Sequence, residues 1–178
     1  GQAWDGKLWA STQVAVSLND GSVWMIYDAR KYMGTHYLRE IITTPDCLWL
    51  FTDKGLFSYR SGTYDLVSEE NGLISNNLIS GYVVSNSLIY AGSPEGMSVI
   101  ENGSITSYFV PNTPVGYNQI ELAVDNLGRI WAGTWESGVS VYQDGLWAPV
   151  TSPDERMTAT VRDIVFAPDG GIVFNTPQ

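Results

Sequence analysis

Short apolar runs recur along the chain, and Gly, Asn, Asp and Ser separate one run from the next. Many runs alternate apolar residues with small or polar ones, as in VAVSL from Val14 and GVSVY from Gly138. This period of two is typical of β-strands, and no segment keeps the 3.6-residue period of an amphipathic helix. The pattern therefore predicts an all-β protein.

One apolar motif, an aliphatic residue followed in most copies by an aromatic one, returns at a nearly constant interval. Its second position is occupied by Trp9, Trp49, Tyr90, Trp131 and Val173, at steps of 40, 41, 41 and 42 residues. We expect these rings to fill the space between neighbouring sheets. A four-stranded antiparallel unit that repeats every ~40–45 residues is typical of the blade of a β-propeller.

Each unit is predicted to contain four strands, A to D in chain order. Strand A covers residues 40–44, 78–84, 120–125 and 162–166, and strand B carries the repeated motif. Strands C and D flank an Asp-Gly, Ser-Gly or Asn-Gly pair, which accepts the positive φ of a tight hairpin. The predicted repeats are 8–47, 48–88, 89–129 and 130–171, with a partial copy at 172–178. The sequence thus predicts one domain of four ~41-residue, four-stranded blades plus one extra strand.

The strand count leaves the closure of this array open. Strand B occurs five times, whereas strands A, C and D occur four times each. The chain could be part of a larger propeller, a closed four-bladed ring, or half of an eight-bladed ring made by two copies. We favour the view that the chain is part of a larger propeller. We also expect the chain to associate with itself, because open blade faces leave apolar surface uncovered.

Composition and charge narrow the function classes. Hydrophobic residues make up 44% of the chain, enough to form a core. The net charge of −10 disfavours nucleic acid as a partner, and no apolar run approaches the ~20 residues of a membrane span. A single Cys and a single His exclude an internal disulfide and the common zinc-site spacings, and leave His36 as the one imidazole for a catalytic pair. These features favour a binding or structural module without a cofactor.

The fourth unit resembles the two-component regulator propeller repeat. It has an aliphatic strand from Ile120, the D-x-x-G turn at Asp125, an aliphatic-Trp pair ending at Trp131, a Gly-Thr pair, and a Gly-aliphatic pair before Tyr142. The lead-in of that repeat is matched by NGLISNNLI from Asn71. The resemblance extends over essentially the whole chain. It implies an extracytoplasmic sensor module, periplasmic or secreted, that responds to glycan fragments in front of a histidine kinase and has no enzymatic activity.

Candidate ligand-binding residues lie in the loops that join strands D to A and B to C, since these loops meet at one mouth of a propeller. Flat aromatic rings with amide and guanidinium groups suit an oligosaccharide or another polar ligand. Trp135 is the strongest candidate because it lies beyond the packing Trp131; a contact between blades is its alternative role. The candidate ligand-binding residues are Trp135, Tyr117, Asn118, Asn76, Asn77, Tyr37, Arg39 and Arg156.

The functional hypotheses fall into different classes. The leading hypothesis is a non-enzymatic recognition module for a glycan or similar polar ligand. The main alternative is a structural repeat that mediates self-assembly or protein contacts. A propeller hydrolase or lyase is the third, and the sequence predicts no catalytic residue and no metal ligand that would support it.

Overall fold

The computed structural model describes residues 8–19, 21–108, 121–135, 137–144, 146–151, 160–167 and 169–176, except the side chains of residues 8 and 9. Most of these residues form antiparallel strands, which hydrogen bond into five sheets that follow one another along the chain. The predicted all-β class is therefore confirmed.

The sheets are numbered in chain order, and all their strands pair with their sequence neighbours. Sheet 1 contains β1 (Leu8–Thr12), β2 (Ala15–Asn19) and β3 (Trp24–Asp28). Sheet 2 contains β4 (Leu38–Thr44), β5 (Cys47–Thr52), β6 (Gly55–Arg60) and β7 (Thr63–Val67). Sheet 3 contains β8 (Ser80–Ser85), β9 (Leu88–Ser93), β10 (Gly96–Glu101) and β11 (Ser104–Tyr108). Sheet 4 contains β12 (Glu121–Val124), β13 (Ile130–Gly133), β14 (Val139–Gln143) and β15 (Leu146–Pro149), and sheet 5 pairs β16 (Asp163–Phe166) with β17 (Ile172–Asn175).

The predicted strands are found, but their grouping differs from four complete blades plus one strand. Among the described residues, sheets 2, 3 and 4 have four strands, sheet 1 has three and sheet 5 has two. The physical reason is that each A strand pairs with the B strand that follows it, so a complete sheet runs from A to D rather than from B to the next A. The first B, C and D strands therefore form a sheet without a described A strand, and the last A and B strands pair only with each other.

The packing role predicted for the repeated aromatic residues is confirmed where the structure describes them. Trp49 and Trp131 are buried, and each belongs to an apolar cluster between its own sheet and the next. Tyr90 is half-buried against the cluster between sheets 3 and 4. The side chain of Trp9 lies outside the described residues. The core is thus a series of interfaces between successive sheets.

Residues that accept a positive φ form the hairpin turns predicted from the sequence. Ser61, Asn102 and Asp144 have φ of 47°, 50° and 53°, the left-handed conformation that a tight two-residue turn needs. The first connection from strand D to strand A, between β3 and β4, is predicted from the sequence as a loop but contains the short helix α1 (Ala29–Met33). The carboxylate of Asp28 caps it by accepting the Arg30 N–H at 2.9 Å. In the described part of the chain, no helix has the length and apolar character needed to cross a membrane.

The A strands β4, β8, β12 and β16 lie side by side and form the inner edge of the array. Close approach at this edge depends on Gly81 in β8, since a Cβ atom there would lie 1.9 Å from the ring of Phe51 in β5. The absence of a side chain at Gly81 lets the inner edges of sheets 2 and 3 meet. This convergence brings the first residues of several A strands to one place.

Candidate functional site

Polar residues occupy one register position at the inner edge. Glu40, Ser80, Glu121 and Asp163 stand at equivalent places in β4, β8, β12 and β16, as their pairing with strand B shows. Three of the four are carboxylates, so the start of the inner strands has an acidic character. Among the described residues, no group of three His, Cys, Asp or Glu side chains is placed to hold a metal ion.

Burial and mutual repulsion shift the titration of these carboxyl groups. The pKa of Glu121 is raised to about 7, mainly by burial and also by the nearby charges of Glu40 and Asp163. Burial also raises the pKa of Glu40, which the Gly81 N–H, donated to its Oε2 at 2.8 Å, partly offsets. Glu121 therefore keeps its proton to higher pH than an ordinary glutamate does, and in its protonated form it can donate a hydrogen bond.

A cavity of about 210 Å³ opens at this end of the inner strands. Side chains from sheets 2, 3, 4 and 5 converge on it, which places it at the centre of the array rather than between two sheets. The lining residues are Arg39, Ile79, Glu121, Trp135, Val161 and Arg162.

The turn after β13 positions Trp135 at the cavity. The hydroxyl of Thr134 donates to the carbonyl of Gly138 at 3.1 Å and accepts the Ser137 N–H at 3.0 Å, which closes the turn. Trp135 forms an isolated backbone bridge with Thr160 and keeps 37% of its surface exposed. An exposed indole held by a rigid turn is suited to stacking against a ligand.

The equivalent turn of sheet 2 has a different use. Thr52 closes it in the same way, with its hydroxyl 2.8 Å from the carbonyl of Gly55. The next residue, Asp53, accepts hydrogen bonds from Thr35 Oγ1 and from the backbone N–H groups of His36 and Tyr37. Asp53 thus anchors the segment that contains α1, whereas Trp135 remains available to the cavity.

The guanidinium groups of two cavity arginines lie over aromatic rings. The guanidinium of Arg162 lies 5.1 Å from the centroid of Trp135, and that of Arg39 lies 4.9 Å from the centroid of Tyr37. Stacking orients a guanidinium plane while leaving N–H groups on its edge free to donate. The mouth of the cavity therefore presents two oriented cationic groups above an acidic inner edge.

The structure brings together some of the predicted site residues. Trp135 and Arg39 line the cavity, and Tyr37 adjoins it through its contact with Arg39. Asn76 exchanges hydrogen bonds with Glu69 at 2.7 and 2.8 Å, and is not among the residues that line the cavity. The backbone N–H of Asn77 donates to Ser75 Oγ at 3.2 Å, and Asn77 does not line the cavity either. The candidates Tyr117, Asn118 and Arg156 lie outside the described residues.

Sequence reasoning missed Arg162 and Glu121, because both were assigned to a predicted strand rather than to a loop. A signal was present: Arg39–Glu40 and Arg162–Asp163 are charged pairs at the start of predicted A strands. A buried inner strand has no need of two adjacent charges, so such pairs indicate that the strand begins at a polar cavity.

A second cavity of about 290 Å³ lies between sheets 3 and 4, near the turns after β12 and β14. It contains Tyr90, Tyr142 and Arg129, but Arg129 is bound to the carboxylate of Asp125 at 2.6 Å. Tyr142 hydrogen bonds to Tyr108, which together with burial raises the pKa of Tyr142 to about 12. The polar groups of this cavity are thus largely occupied by structural contacts, and the central cavity is the stronger candidate.

Comparison with solved structures identifies the fold. The chain is similar to the extracellular domain of the hybrid two-component system BT3049 from B. thetaiotaomicron, with a TM-score of 0.81 and 21% identity over 99% of this chain and 27% of that one. It also matches virginiamycin B lyase from Staphylococcus aureus, with a TM-score of 0.76 and 13% identity over 99% of this chain and 61% of that one. The WD40 β-propeller domain of Doa1 aligns with a TM-score of 0.62 and 11% identity, over 94% of this chain and 59% of that one.

These likenesses show that the chain has a β-propeller fold, and the similar structures include extracellular domains of two-component systems, the class of protein that the sequence resembles. The chain spans about a quarter of the length of each of these extracellular domains. No protein-family model matches the sequence, and no curated protein matches it.

Proposed function

We propose that this chain is a non-enzymatic recognition module, the ligand-sensing propeller portion of an extracytoplasmic two-component-type sensor, and that it binds an oligosaccharide or similar polar ligand at the central cavity. The observation that carries the proposal is the convergence of Trp135, Arg39, Arg162 and Glu121 from three sheets on one cavity. An exposed indole with donors and an acceptor around it matches the apolar faces and hydroxyl groups of a sugar. The extracellular two-component domains among the similar structures support the sensor role and the extracytoplasmic location.

The composition of the cavity favours binding over catalysis. Glycoside hydrolysis by the usual route needs two carboxyl groups that flank the scissile bond. Glu121 is the only carboxylate among the described residues that line the cavity, and the side chain of Glu40 accepts the Gly81 N–H. Although a lyase and an ancestral GH74 enzyme are among the similar structures, they share no more than 18% identity with this chain.

Calorimetric titration of the purified chain with a panel of neutral and acidic oligosaccharides tests this function. We expect saturable binding to at least one of them and a large loss of affinity in Trp135→Ala. Trp24→Ala is the matched control, because Trp24 is also an exposed indole but lies in β3, away from the cavity. The absence of binding across the panel, or an equal loss in both variants, would contradict the proposal.

A structural role in self-assembly is the second candidate, and one observation favours it. The outward faces of sheets 1 and 5 expose apolar side chains, with Trp24 and Ile26 at 49% and 72% and Val165 and Val173 at 51% and 58%. Exposed apolar groups of this kind mark interaction surfaces when they are contiguous. Association that depends on concentration but not on any oligosaccharide would favour this candidate.

A further inference from the structure

Arg39 and Arg162 have corresponding positions in the sequence of their repeats. Each stands one residue before the inner-edge carboxylate of its A strand, Glu40 in sheet 2 and Asp163 in sheet 5. Because these sheets are separated by sheets 3 and 4, the two arginines approach one cavity from different sides. A ligand group in the cavity therefore lies within reach of two guanidinium groups that different sheets supply.

Neither arginine is neutralised by a described carboxylate. The ion pairs found among the described residues join Arg30 to Asp28 and Arg129 to Asp125. Arg39 and Arg162 contact the rings of Tyr37 and Trp135 instead. In a chain with a net charge of −10, two guanidinium groups at one cavity that have no described carboxylate partner are suited to an anionic ligand group.

The charge of this cavity fits one anionic group. The two guanidinium groups contribute two positive charges, and Glu121 on the same wall contributes up to one negative charge. A monoanion balances the charges of these lining residues, whereas a dianion would face added repulsion from Glu121 and from Glu40 and Asp163 at the inner edge. A neutral sugar would leave both guanidinium groups without the charged partner for which their geometry is suited.

A carboxylate matches the arginines in shape as well as in charge. Its two oxygens accept parallel hydrogen bonds from the forked edge of a guanidinium, and a ring already in contact with the arginine holds that fork in one plane. The exposed part of Trp135 and the carboxyl group of Glu121 then remain for the ring and the hydroxyl groups of the same molecule.

We infer that the central cavity selects acidic saccharides, in which the carboxylate of a uronic acid binds between Arg39 and Arg162. The inference rests on the proposed function and adds the chemical class of the ligand to it.

The test compares oligouronates with forms of the same skeleton that lack the charge. Trimers of galacturonate, glucuronate and mannuronate are titrated calorimetrically into the purified chain, each beside its fully methyl-esterified form. We expect at least one acid to bind roughly tenfold or more tightly than its ester. We also expect this preference to weaken as ionic strength rises from about 0.05 to 0.3 M.

Variants assign the preference to the two arginines. Arg39→Gln and Arg162→Gln should each reduce the acid-over-ester ratio towards one, because each should lower the affinity for the acid more than the affinity for the ester. Arg30→Gln removes the same charge from an exposed ion pair outside the cavity and should keep the ratio of the unmodified chain. Circular dichroism spectra that match across the variants exclude a folding defect as the cause of any loss.

The other outcomes separate this inference from the proposed function. If acid and ester bind equally well, acidic selectivity is wrong and the recognition function stands. If a sulfated galactose trimer binds more tightly than every oligouronate, the assignment to a carboxylate is wrong. If no oligosaccharide binds, acidic or neutral, both the inference and the recognition function are overturned.

Discussion

Sheets 4 and 5 place the same strand position in opposite environments. Trp131 in β13 is 7% exposed because sheet 5 covers it, whereas the equivalent Val173 in β17 is 58% exposed. The same contrast separates Trp49, which sheet 3 covers, from Val173. The sequence of strand B alone therefore does not decide whether its repeated apolar side chain is buried. A following sheet does so, and the middle sheets and the end sheets should respond differently to matched substitutions.

The largest difference is expected when the repeated apolar position is truncated. Trp49→Ala should lower the free energy of unfolding by about 3–5 kcal/mol, because it removes a buried indole that also donates to Asn86 Oδ1 at 3.2 Å. Val173→Ala should cost less than about 1 kcal/mol, since little buried surface is lost. Urea denaturation of both variants measures the two values. A Val173→Ala cost close to that of a core residue would mean that the end face is covered in solution.

The turn between strands A and B gives a second matched pair. Asp125 in sheet 4 accepts hydrogen bonds from the Leu127 and Arg129 N–H groups, from Arg129 Nε and from Trp131 Nε1. In the turn of sheet 5, Ala167 stands at the position of Asp125, and Asp169, two residues later, accepts the Gly171 N–H at 2.9 Å. We expect Asp125→Ala to cost about 3 kcal/mol and Asp169→Ala about 1 kcal/mol in the same denaturation experiment. Similar losses at both turns would show that the cross-links to Arg129 and Trp131 add nothing.

Titration provides a check on the Asp125 cluster. Burial alone would raise the pKa of Asp125, but hydrogen bonds from Trp131, Arg129 and Leu127 outweigh it, so the pKa lies below its ordinary value of 3.8. The resulting stability is present above pH 3.8 and is lost as the pH falls below it. In Asp125→Ala, the free energy of unfolding should therefore fall less steeply below pH 3.8 than in the unmodified chain, as urea denaturation at several pH values would measure.

The next largest effect is expected for self-association through the outward faces of sheets 1 and 5. Val173→Asp places a charge on the exposed face of sheet 5, and we expect it to weaken self-association about tenfold, or ~1.4 kcal/mol. Removal of residues 172–178 should alter association in the same direction. Leu127→Asp is the control, since Leu127 is 73% exposed on a turn of sheet 4. Light scattering over about a hundredfold dilution measures the effect, and a mass fixed at one chain throughout would contradict self-association.

The periodic features of the fold could be predicted from the sequence, because they depend on local chemistry repeated in each unit. Ser61, Asn102 and Asp144 mark hairpins by their tolerance of positive φ. Gly55 marks the start of strand C for a related reason: its φ is +115°, and a Cβ atom there would lie 2.3 Å from the carbonyl oxygen of Val67. The helix α1 escaped prediction because five residues are too few to establish a 3.6-residue period.

The candidate site was less predictable, because it depends on which residues different sheets bring to one point. Trp135 could be singled out, since it follows a predicted strand and does not fit the packing position. Arg162 and Glu121 could not be joined to it without knowing that the A strands meet at one inner edge. Asn76 resembled a ligand residue in sequence, but its side chain is hydrogen bonded to the backbone of Glu69.

The smallest effect is expected at the inner edge, where Glu121 of the middle sheet stands beside Asp163 of the end sheet. The pKa of Glu121 is raised from 4.5 to about 7, first by burial and then by the charges of Glu40 and Asp163. The folded chain therefore holds this proton more firmly than the unfolded chain, so the contribution of Glu121 to stability is full below pH 4.5 and is lost as the pH rises through about 7.

Glu121→Gln should flatten the stability profile across this window, and Asp163→Asn should move the window to lower pH by removing a like charge. Urea midpoints measured from about pH 4 to 8 test both variants, and the effect should be small because Glu121 is only partly buried and solvent screens its charge. A Glu121→Gln profile that keeps the slope of the unmodified chain would show that this carboxyl group is ionised throughout, and that the inner edge of the middle sheet is as open to water as that of the end sheet.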